Sequence, residues 1–204
     1  MTVVRLRNEI DINGWRTAAR DLRIAGVRPD HVEWKVGACP AAGLGEADAP
    51  VFDAEFATPL IAPREFLGMA QAAVCHRHPA RFDHLYRLLW RLEDSPRLLE
   101  NVGDSDVAEL HRLAAEVARD CQRMKAFLRF RLVDEDPETY AAWYQPAHRV
   151  LERTAPFFAQ RFSTLRFMIL TPEASCGWNG SALRFSTPDG WNPPTPRFIP
   201  DLTD

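Results

Sequence analysis

Lysine is almost missing from this chain of 204 residues, standing only at Lys35 and Lys125 among 25 basic residues. Nearly all positive charge is therefore arginine, whose guanidinium fork suits phosphate oxygens, although genome composition alone also produces such a bias. An excess of positive charge is missing too. With 28 acidic residues the formal net charge is -3, which excludes a wholly cationic nucleic-acid binder and leaves only one that works through a local patch. The four cysteines, Cys39, Cys75, Cys121 and Cys176, are scattered and form no Cys-x-x-Cys pair. They read as reduced thiols of a cytoplasmic chain. No run of about 18 apolar residues exists, so no membrane span is expected, and the start MTVVRLRNEIDINGW lacks the pattern of a secretion signal. A glycine-rich phosphate loop is likewise lacking, since Gly26 stands alone behind the first predicted helix. No cofactor is expected.

What is present suits an ordinary folded protein, with 46% hydrophobic and 26% charged residues. Val3 to Leu6, Trp15 to Ala25 and His31 to Val36 predict a β-α-β start, with Asp11 or Asn13 opening the helix and Gly26 closing it. The small, weakly patterned stretch GACPAAGLGEADAP marks a boundary, so residues 1–50 are read as a small α/β subdomain. Residues 51–188 are read as the main domain and 189–204, with four prolines, as a tail or linker. The main domain begins with a strand over Glu55 to Ile61 and helices over Arg64 to Cys75 and Pro79 to Leu92. Strands follow at Thr139 to Tyr144, Leu165 to Leu170 and around the Asn179-Gly180 turn, with a helix over Ala147 to Phe162 that Pro156 should kink. The expected class is α+β, an antiparallel sheet packed against several helices.

One stretch organises the functional reading. Val107, Leu110, Leu113, Val117, Cys121 and Met124 form the stripe of a long helix, with Asp106 and Glu109 placed to cap it. Past Lys125 the period changes to two, putting Leu128, Phe130 and Leu132 on one side and Arg129 and Arg131 on the other. Arg119, Arg123, Lys125, Arg129 and Arg131 would then form a row from helix to strand, suited to phosphate contact with little sequence preference. Arg87 and Arg91 on the preceding helix, Trp143 at strand spacing and His148 nearby extend the candidate surface. The bland alternative is a solvated face paired with its own carboxylates.

Two other groups carry possible chemistry. Cys75-His76-Arg77-His78 has zinc-ligand residue types, but no second Cys/His cluster closes a four-ligand site, so no metal is expected and His76 is read as bonding carbonyls or a carboxylate at a helix end. His148 and Glu152 lie four apart on a predicted helix and, with Asp120, would make an acid-base site if they converge.

The blocks CHRHPARFDHLYRLLWRL, RDCQRMKAFLRFR and YAAWYQPAHRVLERTAPFFAQRFSTLRFMILTPEASCGWNG resemble a bacterial domain family of unknown function described as probable DNA metabolism proteins. That family is found fused to uracil-DNA glycosylases of the UdgX type or paired with a radical-SAM protein of proposed DNA-repair role. The resemblance implies a role beside DNA and supplies no reaction. Where the family carries a histidine, this chain has Gln122. The expectation is an accessory domain in DNA repair or modification that binds DNA or such a partner through the arginine-rich face. An enzyme using His148, Glu152 and Asp120 is the second expectation, and a protein-interaction module the third.

Overall fold

The computed structural model describes residues 1–37, 62–135 and 137–186. The chain is of the α+β class and divides into two compact units, Met1–Glu116 and Val117–Asp204. The expected boundary near residue 50, the strand over Glu55 to Ile61 and the proline-rich tail lie outside the described residues. Among the described residues no helix is long and apolar enough to cross a membrane.

The first unit opens with β1 (Thr2–Leu6), α1 (Ile12–Ile24) and β2 (Val32–Val36), and the two strands pair in parallel across the helix. Asp11 caps α1: its carboxylate accepts the Gly14 amide at 2.9 Å and holds the Arg7 guanidinium. Gly26, with φ 68°, turns the chain out of α1 as glycine readily does. Helices α2 (Arg64–Ala73) and α3 (Arg81–Asp94) complete the aromatic core, in which Trp15 faces Trp34 and Phe66, and Tyr86 meets Trp34 edge-on at 5.8 Å. The Tyr86 hydroxyl donates to the Val27 carbonyl at 2.6 Å. Arg81 is buried, not surface-facing. Its guanidinium, which burial would otherwise leave unpaired, donates to the carbonyls of Val74, His78 and Glu9 and to the Glu9 carboxylate.

Helix α4 (Ser105–Phe127) gives its first half to the first unit and its second half to the other. Its cap is Asp104 rather than Asp106, because the Asp104 carboxylate accepts the amides of Asp106 and Val107.

The second unit holds a five-stranded sheet in the order β3 (Arg131–Glu135), β4 (Glu138–Trp143), β5 (Arg166–Leu170), β6 (Ser175–Trp178), β7 (Leu183–Ser186). It is mostly antiparallel. The exception is β4 with β5, which run parallel and are joined across one face by α5 (Leu151–Arg161). Parallel neighbours need a long crossover, built here around α5, whereas a tight hairpin would have paired them antiparallel. Helix α5 runs through Pro156 in one piece, and Thr154 lies inside it, donating back to the Val150 carbonyl at 2.9 Å. The Asn-Gly loop is longer than a two-residue turn, since Trp178 pairs with Leu183. Asn179 Oδ1 accepts the amides of Ser181 and Ala182 and so orders the loop itself.

The face of the sheet under α5 is sealed by Ala142, Phe167, Ile169 and Cys176, all buried. Phe130 lies among Phe158, Phe162 and Phe167, its ring centroid 4.9 Å from the last. This corrects the expected strand entry. Leu128 and Phe130 form the packed link after α4, β3 starts only at Arg131, and a bulge between Leu132 and Asp134 leaves Leu132 and Val133 exposed at the sheet edge.

Candidate nucleic-acid interface

Alternation in β5 decides which side chains reach the open face of the sheet. Phe167 and Ile169 point under α5, so Arg166 and Met168 point away from it. The register then carries the pattern across the whole sheet: Arg131 pairs with Ala141, Ala141 with Met168, Met168 with Gly177 and Gly177 with Arg184. Arg131, Arg166 and Arg184 therefore share the open face, with exposed Met168 and the side-chain-free Gly177 between them. Trp143, two residues beyond Ala141, lies on the same face and is half-buried. Arg166 and Arg184 both line one shallow depression with Thr139, Met168, Gly177 and Asn179, and Asp134 stands at its rim. Both guanidinium groups are solvent-exposed, and among the described residues neither makes an ion pair.

The helix part of the expected arginine row is carried by α4. The second half of α4 packs on α5 through Met124, whose sulfur meets Thr154 Oγ1, and through Lys125, whose ammonium lies 5.0 Å from the centre of the Phe157 ring. Arg119 and Arg123 lie on the exposed side of α4, four residues apart, without an ion pair among the described residues. Arg129 turns its guanidinium back to the carbonyls of Ala126 and Leu128, closing the C-terminal end of the helix. Arg119 and Arg123 stand on α4, whereas Arg131 opens β3 beyond the packed link of Leu128 and Phe130. The structure instead groups Arg131 with Arg166 and Arg184, two residues that reading along the chain overlooked. Their signal was the alternation in RFMIL and LRFS.

Arg87 and Arg91 belong to the first unit and are held by carboxylates. Arg91 donates to Asp104 and Asp106, the former at 2.5 Å, and Arg87 reaches Asp106 at 3.3 Å. These contacts raise the Arg91 guanidinium pKa and lower that of Asp104. In the same unit His76 Nε2 bonds the Glu116 carboxylate at 2.8 Å while its Nδ1 accepts the His78 amide. A helix-end histidine bonded to a carboxylate is what the sequence suggested.

Of the acid-base candidates Asp120, His148 and Glu152, the first two meet at a backbone hydrogen bond. The buried Asp120 carboxylate accepts the backbone amide of His148 at 2.8 Å, fixing the chain where it enters α5. That same carboxylate places negative charge beside the approach to α5, which disfavours phosphate there. Glu152 reaches solvent, and desolvation by the surrounding protein raises its carboxyl above the ordinary range.

A family model described as a domain of unknown function matches residues 79–187, just over half of the chain. No curated protein and no solved structure matches it.

Proposed function

The chain belongs to the family described as a domain of unknown function, DUF4130, and from that premise and the open sheet we propose that it is an accessory DNA-binding domain of a DNA repair or modification system. The contact is made by the uncovered face of the sheet, where Arg166 and Arg184 flank Met168 and Gly177 and Arg131 extends the row. The observation that carries this reading is a pair of exposed guanidinium groups, on the face of the sheet away from α5, with no ion pair among the described residues. Such groups bind phosphate without first breaking an internal bond. Met168 and Trp143 offer apolar surface on which unpaired bases can lie, as in sheet-based single-strand binders. Arg119 and Arg123 supply a second cationic strip on α4. A uracil-DNA glycosylase or a radical-SAM repair protein is the class of partner that the resemblance of the three sequence blocks suggests.

The test is binding of the whole chain to labelled single- and double-stranded oligonucleotides, with and without uracil. Charge reversal as Arg166→Glu with Arg184→Glu should abolish retention of single strands, whereas Arg87→Glu should leave it unchanged. Equal binding by the sheet variant and the native chain would overturn the assignment of the surface, and no binding by the native chain would overturn the function.

A further inference from the structure

We propose that His78, His84 and Glu109 form a binding site for a divalent transition-metal ion, zinc or one of similar preference. The fold brings together what the sequence scatters: His78 lies in the link between α2 and α3, His84 in the first turn of α3, and Glu109 near the start of α4. One ring nitrogen of each histidine and one Glu109 oxygen lie within 4.8 Å of one another. Tetrahedral ligands about 2.0–2.1 Å from zinc stand about 3.3 Å apart, so rotations of these half-buried side chains by about 1.5 Å or less close the set.

A second observation points to the same place. His84 Nδ1 is buried and has no hydrogen-bond partner among the described residues, an arrangement that costs free energy unless something accepts its lone pair or its proton. If His78 binds through Nδ1, the bond it gives up is a long one, from the Ala80 amide at 3.2 Å. Desolvation, helped by Arg87, lowers the His84 pKa, and the hydrogen bonds from Arg112 lower that of Glu109. Arg112 holds both Glu109 oxygens, at 2.7 and 2.8 Å, and also bonds Glu116 at 2.8 Å. Each carboxylate oxygen retains a second lone pair, so Arg112 orients Glu109 as an outer partner while the ion takes the free side. Three protein donors leave the fourth position to water, the donor number of an open site rather than a closed structural one.

The experiment is titration of the metal-free full chain with cobalt(II), followed by its visible absorption and by calorimetry, then displacement with zinc. The expected result is one equivalent bound with the intense bands of a four-coordinate ion, and at least a tenfold loss of affinity in both His84→Asn and His78→Asn. Urea midpoints taken without metal establish that each variant folds. His31→Asn and His111→Asn, which alter exposed histidines elsewhere, should leave uptake unchanged. Uptake undiminished in folded His84→Asn and His78→Asn, or binding only as a six-coordinate ion at several equivalents, overturns the site.

Discussion

Truncating Arg166 and Arg184 together gives a quantitative test of phosphate contact at the open sheet. Each neutralised phosphate on a single strand contributes about 0.7 to the slope of log K against log salt, so losing two contacts should flatten the slope by about 1.4. If these contacts vanish near 1 M salt, affinity falls about 60-fold at 50 mM and about tenfold at 200 mM. Neither side chain is buried or in an ion pair among the described residues, so stability should shift by no more than about 0.5 kcal/mol. Fluorescence anisotropy with a labelled single strand, measured at several salt concentrations beside a urea unfolding curve, reads both quantities. A uniform loss at every salt concentration with an unchanged slope would show that the arginines do not neutralise phosphates. The phosphate argument would then fail even though the surface mattered.

Three further predictions concern the first unit. Gly14→Ala should destabilise by about 1–2 kcal/mol despite alanine's higher helix propensity, because the added Cβ would stand 2.3 Å from the capping Asp11 oxygen; a raised thermal midpoint would contradict that cap. Arg91→Ala should lower stability by about 1 kcal/mol and leave DNA affinity alone, since Asp104 and Asp106 already hold the guanidinium; weaker binding at unchanged stability would return Arg91 to the interface. The Glu116 pKa is lowered, first by the His76 hydrogen bond and then by Arg112, so its stabilising effect is present above the unfolded value of about 4.3 and is lost as pH falls through the lower folded value. Glu116→Gln should therefore destabilise by about 1 kcal/mol at pH 7, with the gap from the native chain closing in urea titrations as pH falls below the unfolded carboxylate value.

The elements with strong local signals were legible. Asp11 and Gly26 delimited α1, the apolar stripe gave α4, and β1-α1-β2 paired as a β-α-β start. The failures sit where a distant partner decides. Leu128 and Phe130 alternate like a strand, but Phe130 is drawn into the ring cluster of Phe158, Phe162 and Phe167, and the strand begins only beyond it. Asp104 and Asp106 are equally plausible caps by type; Arg91 engages both, and only the backbone geometry selects Asp104. Local counting favoured the cations crowded around α4. Arg166 and Arg184 look isolated along the chain and become neighbours only through the register of β5, β6 and β7.

The parallel pair β4–β5 explains why an open face exists in this unit. A helix linking two parallel strands must cross one side of the sheet, and α5 does so, burying Phe167, Ile169 and Cys176. The remaining connections described, β3 to β4, β5 to β6 and β6 to β7, are turns at the sheet's ends and contribute no second layer. Among the described residues of this unit the other face carries half-buried and exposed residues at successive outward positions of β5, β6 and β7: Arg166, Met168, Ser175, Gly177 and Arg184. If stability alone governed that face, exposed Met168 between two arginines without an ion pair among the described residues would be a poor arrangement, since small polar or β-branched residues would serve a solvated sheet better. A flat centre at Gly177, an apolar side chain beside it and cations on either side instead match a ligand with planar bases and a charged backbone. Replacing Met168 by Thr separates the two explanations. It should preserve or slightly raise the urea midpoint while weakening single-strand binding, with the salt slope unchanged because no phosphate contact is lost; undiminished binding would reduce the face to its arginines.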